Sequence, residues 1–181
     1  MQPTKRIHQL VLAALLTALA ILIPMFMPIK LILEPIFSAT FASHVPGILS
    51  MFVGPFAVVG TAVGSALGFI SLGYWVMLRA LSHMIFGLIG HKLLKARWNV
   101  FIVLILTGLF HAGAEMVVGL ISIPTLTAIP AGGVLRYILV TIGCGTFIHH
   151  CIDFAIALVI FYALKAAKLL TMDLNFKRLK G

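Results

Sequence analysis

The chain has 181 residues, 62% of them hydrophobic and 9% charged, where a soluble domain carries about 25% charged residues. No soluble fold of this length has enough interior to hide so much apolar surface, so composition excludes a water-soluble domain and predicts a single integral membrane domain. The net charge of +9 sits in clusters that flank apolar stretches, which suits anionic lipid headgroups and excludes nucleic acid as the partner.

In chain order, Lys5 and Arg6 precede an apolar run over residues 7–23 that stops at Pro24 and Pro28. Ala18-Leu-Ala20 imitates a signal-peptide cleavage site, but the charge pattern requires this run, so it is read as an uncleaved first helix. Ala14 and Ala18 have the small-xxx-small spacing that lets another helix pack close. Residues 25–43, with Lys30 and Glu34-Pro35, read as a partly embedded outer loop. The stretch 44–71 is continuously apolar but contains Gly54-Pro55, and a proline either breaks a helix or begins one. Residues 74–95, 98–121 and 134–168 complete the helices, with outer loops at 72–73 and at 122–133, where Pro124, Pro130 and Gly132-Gly133 fall.

Charge decides whether 44–71 crosses once or twice. Ten of the thirteen Lys and Arg residues fall in three clusters: Lys5/Arg6, Lys92/Lys95/Arg97 and Lys165/Lys168/Lys177/Arg178/Lys180. Basic loops stay on the cytoplasmic side. All three clusters fall there only if 44–54 and 55–71 are two short helices turning at Gly54-Pro55. The reading is an all-α polytopic protein of six transmembrane helices, both termini cytoplasmic. The first arm, about 16 Å long, cannot span lipid alone and must pack among other helices. Gly60, Gly64 and Gly68 recur every four residues, which permits close helix approach.

Ionisable groups inside a bilayer cost about 2.5–3.5 kcal/mol each on insertion scales and are functional candidates by default. Arg79 and His83 are four apart on one helix face, as are His111 and Glu115, and His44 opens the second helix. These five residues converge on a pocket open to the outside, where Arg79 can clamp a carboxylate; Arg79–Glu115 also reads as a plain structural ion pair. Tyr74 and Trp75 lie at the outer interface, as belt anchors or as a stacking surface for a flat ligand. His149, His150 and Asp153 share the last helix. With His111 and Glu115 they resemble metal-ligand pairs, but without an HExxH pattern, and a packing hydrogen bond is the plainer reading. Arg136 starts the last helix and either snorkels or meets ligand. Cys144 and Cys151, two helical turns apart, are too distant to bridge and read as two buried free thiols.

In this order the features resemble the substrate-binding membrane subunits (S components) of energy-coupling factor vitamin transporters. The likeness runs through Ala14-x-x-x-Ala18, the long outer loop, Phe52-Val-Gly-Pro55, Gly60-Thr-Ala-Val-Gly64-Ser-Ala-Leu-Gly68 and His149-His-Cys-Ile-Asp153-Phe-Ala-Ile-Ala. It implies a bacterial plasma-membrane protein that binds a vitamin near its outer surface, has no enzymatic activity of its own, and works with a transmembrane coupling subunit and two ATPases. It implies that Ala14 and Ala18 dock on the coupling subunit and that the outer loop, fourth helix and fifth helix bind the vitamin. Ala39-Thr-Phe-Ala-Ser-His-Val-Pro46 is similar to the niacin-specific branch. Nicotinate is a small flat anion: Arg79 would take its carboxylate and one of His44, His83 or His111 its ring nitrogen, with Glu115 and Tyr74 beside them and no cofactor or metal. Pantothenate, also anionic, is the alternative ligand. An intramembrane metalloenzyme built on His111, Glu115, His149 and Asp153 and an ion-coupled transporter are the rival classes.

Overall fold

The structure is a computed structural model that describes residues 3–33, 35–126 and 132–177. Glu34, Pro130, Arg178 and Lys180, singled out in the sequence, lie outside the described residues.

Helix α1 (Pro3–Phe26) is followed by strands β1 (Lys30–Leu33) and β2 (Phe37–Thr40). Then come α2 (Val45–Val53), α3 (Pro55–Phe69), a 3-10 turn at Ile70–Leu72, α4 (Tyr74–Leu81), α5 (His83–Lys95) and α6 (Val100–Ser122). After a second 3-10 turn (Ile123–Thr125), the last rod runs from α7 (Val134–Arg136) through a π-helical stretch (Tyr137–Cys144) into α8 (Gly145–Ala166). Among the described residues, four helices, Arg6–Phe26, Pro55–Leu72, Val100–Thr125 and Val134–Ala166, are long and apolar enough to cross a membrane.

Three features depart from the sequence reading. The stretch read as a loop in an all-α chain contains an antiparallel hairpin, Lys30 opposite Thr40 and Leu33 opposite Phe37. The Tyr137 hydroxyl closes its turn, accepting from the Ile36 and Phe37 N–H groups at 2.9 Å each and donating to the Leu33 carbonyl at 2.9 Å. The helix read over 74–95 is interrupted at Ser82, whose Oγ bonds back to the Arg79 carbonyl at 2.6 Å, a competition between side chain and backbone that unsettles helices. Cys144 is exposed and Cys151 half-buried, both free. They fall on the outward side of the last rod, whereas the inward stripe is Thr146, His150, Asp153, Ala157 and Phe161.

Gly54, at φ 152°, separates α2 from α3 in a conformation open to glycine and costly for other residues. The glycine stripe of α3 receives α1. A Cβ at Gly64 would stand 2.7 Å from the Thr17 carbonyl oxygen, and one at Gly68 2.6 Å from that of Ile21. The two backbones are therefore in direct contact. α1 buries Leu16, Ala20 and Pro24 and leaves Ala14 and Ala18 exposed on its outer side.

The core has two parts. One packs α2 against α5, α6 and α8 around Ile48, Met51, Phe86, Val103, Phe154 and Phe161. The other sits under the hairpin turn, where Ile36 and Phe37 join Phe69, Val76, Tyr137 and Ile142. The described members of the basic clusters gather at the opposite end. Arg6, Lys95 and Arg97 line one groove there together with Phe52–Ala57 and Thr171–Asp173. The tail is tied to that end by Lys165 Nζ on Asp173 at 2.6 Å and by the Val100 N–H on the Asn175 carbonyl at 2.8 Å. Asp173 is outside the spanning segments, and the Lys165 ammonium holds its carboxyl below the usual carboxylate range.

Candidate functional site

Glu115 is the hub. Its spacing on α6 places it one turn above His111 on the buried face. One carboxylate oxygen, Oε2, accepts from Arg79 Nη2 and from the Thr146 hydroxyl. The other, Oε1, lies 3.4 Å from His83 Nε2 and 3.3 Å from His111 Nε2. Arg79, 3% exposed, also donates through Nη1 to the Ile36 carbonyl, and its guanidinium stands 5.1 Å over the Phe37 ring. The hairpin turn therefore covers Arg79 with one carbonyl and one aromatic face, a cation–π arrangement. Arg79 Nε is buried and has no hydrogen-bond partner among the described residues.

His44, His83 and His111 form a near-equilateral triangle, with ring centroids 4.7, 4.5 and 4.7 Å apart. His44 is placed by a turn that Asp153 closes: the carboxylate accepts the Ala42 N–H at 3.1 Å and the His44 N–H at 2.9 Å. His44 Nδ1 also faces Asp153 at 3.2 Å, and His149 Nε2 approaches it from one turn away at 3.3 Å. Behind the triangle, His150 bridges His111 Nδ1 at 3.2 Å and the Thr107 hydroxyl at 3.0 Å. Ser65 Oγ meets His83 Nδ1 at 3.4 Å. Beside His44 and His83 lies a cavity of about 10 Å³ bordered by Ala20, Ser43, Thr61 and Ser65, a volume on the scale of about one water molecule.

The structure thus brings together Arg79, His83, His44, His111 and Glu115. It does not bring Tyr74 to them: that ring is 60% exposed and packs edge-on against Trp75 at 5.2 Å. Arg136 is exposed at the start of the last rod. Sequence reasoning missed Thr146, Ser65 and the backbone contacts of Asp153. A signal existed for Thr146: with His150 and Asp153 it falls on a four-then-three spacing, one polar stripe on a helix. Nothing local marks Ser65, an ordinary small residue of a glycine-rich helix.

Two comparisons bear on this arrangement without result: no family model matches the chain, and no solved structure matches it. The third finds a relative. Over 163 residues the chain is 39% identical to the niacin transporter NiaX of Lactococcus lactis subsp. cremoris (strain MG1363), an alignment covering 84% of this chain and 72% of that protein.

Proposed function

This chain belongs to the niacin branch of the energy-coupling factor S components, the family of the transporter NiaX, and from that premise we propose that it binds nicotinate at the Arg79–Glu115 cluster and passes it inward. The carrying observation is a buried cation whose Nε has no partner among the described residues, beside three imidazoles, at the end of the bundle opposite Arg6, Lys95 and Arg97. Arg79 supplies the charge for the carboxylate. His44, His83 and His111 supply ring-nitrogen partners for the pyridine, and their faces suit a flat ring better than a branched chain such as pantothenate. Tyr74 stands at the rim.

The cavity of about 10 Å³ is far smaller than a pyridine ring, so the ligand enters by displacing what covers Arg79. That cover is the hairpin turn, through the Ile36 carbonyl and the Phe37 ring. A basic end facing the cytoplasm supports both termini inside, six membrane-inserted helices with α4 and α5 counted as one, and a site toward the outer face of a bacterial plasma membrane. Ala14 and Ala18, exposed on α1, form the docking strip for a transmembrane coupling subunit that works with two ATPases. The protein is a binder without enzymatic activity.

Calorimetry with nicotinate and nicotinamide on purified protein tests the reading. Removing Arg79 outright would strand Glu115, at a cost of about 3–5 kcal/mol, so the informative variant is Arg79→Lys. It keeps the charge and loses the planar fork. Nicotinate should bind at least tenfold more tightly than nicotinamide, and Arg79→Lys should lose at least tenfold for nicotinate, about 1.4 kcal/mol. Equal affinity for acid and amide, or an unaltered Arg79→Lys protein, overturns the carboxylate assignment.

A further inference from the structure

The three imidazoles around Glu115 are held from behind as well as from the front. His83 turns Nδ1 to Ser65 Oγ at 3.4 Å, His111 turns Nδ1 to His150 at 3.2 Å, and His44 turns Nδ1 to Asp153 at 3.2 Å. His83 and His111 thus each have Nδ1 engaged away from the cluster and Nε2 turned to Glu115 Oε1, while His44 Nδ1 lies at ion-pair distance from Asp153 without a hydrogen bond. Fixing of the outer nitrogen by a carboxylate, a hydroxyl or another ring is how ligating histidines are oriented at metal centres.

The inner atoms are spaced for the same purpose. His83 Nε2 and His111 Nε2 stand 3.4 and 3.3 Å from the same oxygen, Glu115 Oε1. A tetrahedral zinc with ligand bonds of about 2.0 Å has ligand-to-ligand edges of about 3.3 Å. One donor atom from each of His44, His83, His111 and Glu115 lies within 4.8 Å of every other. Arg79 and Thr146 both occupy Oε2, which leaves Oε1 as a single-oxygen ligand.

We propose that His44, His83, His111 and Glu115 form a binding site for one divalent transition cation of the zinc class. Three imidazoles and one carboxylate are the donor set such a borderline ion takes, and one that magnesium or calcium does not favour. The set differs from the pairing expected from the sequence: His149 and Asp153 stand behind His44 and serve to orient it. The site shares His44, His83 and His111 with the vitamin reading, so a bound ion and a pyridine nitrogen compete for the same imidazole nitrogens.

The experiment uses full-length protein purified in detergent without a polyhistidine tag, stripped by chelator and titrated with Zn²⁺ against a chromophoric chelator. One zinc per chain is expected. His83→Gln and His111→Gln should each weaken it at least tenfold, and His8→Gln, a change on α1 at the basic end, should leave it alone. Where a variant does not fold, cobalt(II) loading of the wild type reads the same site: an intense tetrahedral visible spectrum is expected. No saturable zinc site, a site that survives His83→Gln/His111→Gln unaltered, or only a weak octahedral cobalt spectrum overturns the proposal and leaves a hydrogen-bonded packing network. Nicotinate calorimetry on the same protein, metal-free and zinc-loaded, separates the two readings: a protein that takes up one zinc yet binds no nicotinate in either form fails only the vitamin reading, and one that binds nicotinate yet takes up no zinc fails only the metal reading.

Discussion

Asp153 does at residue scale what no short motif announces. Its carboxylate closes a turn in which Ala42 sits at φ 62°, a conformation that costs an alanine roughly 1–2 kcal/mol. Two N–H groups, those of Ala42 and His44, point into it, and hydrogen bonds to a charged acceptor contribute about 1.5–3 kcal/mol each. Asp153→Asn replaces one acceptor oxygen with a donor facing a donor. The variant should lose about 2–4 kcal/mol, read as a lower thermal midpoint in detergent, and its nicotinate affinity should fall because His44 is released. Sequence spacing shows that His149 and Asp153 share a helix face. It does not show that Asp153 grips a backbone 109 to 111 positions earlier in the chain, because no local periodicity encodes a contact of that separation.

Among the elements, α1 and α3 illustrate two uses of small residues. Gly64 lies against the Thr17 carbonyl at a distance that no Cβ tolerates, so Gly64→Leu must push the helices apart. Overpacking of this kind costs about 1–3 kcal/mol and should appear as a lower unfolding midpoint in detergent. Ala14→Leu and Ala18→Leu add side chains to an exposed face. They should leave the midpoint unchanged while abolishing co-purification with the proposed coupling subunit, and retained co-purification would remove α1 as the docking helix. Four-residue spacing marked both stripes in the sequence, but only packing distinguishes the stripe already occupied from the one facing outward. The hairpin was invisible to the same reading. Leu31, Ile32 and Leu33 are all exposed, so β1 lacks the alternation that announces a half-buried strand, and the Tyr137 hydroxyl that closes its turn comes from the last rod.

Over the whole molecule, polarity runs from the hairpin end, with its buried ion pair, to the end where Arg6, Lys95 and Arg97 share a groove with the tail. The tail fastening has a defined pH sense. The Asp173 carboxyl is depressed by Lys165, so the contribution of this bridge is present above the ordinary aspartate value and fades as pH falls through the depressed one. The pair is exposed, hence salt-screened and small. The larger prediction concerns sidedness. Single cysteines near residues 6 and 170, in a background lacking Cys144 and Cys151, should both resist an impermeant maleimide added to intact cells and both react after permeabilisation. Reaction of either in intact cells refutes cytoplasmic termini.

Composition by itself determined that this chain lives in a bilayer, because 62% hydrophobic residues with 9% charge cannot be buried in a fold of this length. The four-residue spacings nominated Arg79, His83, His111 and Glu115, since one helical turn places such pairs on one face. Tertiary structure alone decided that the four meet one another, that His44 completes a triangle with two of them, and that Tyr74 stays outside. Those outcomes depend on three helices and a turn arriving at one point, and the packing that aligns them is set by contacts between residues far apart in the chain.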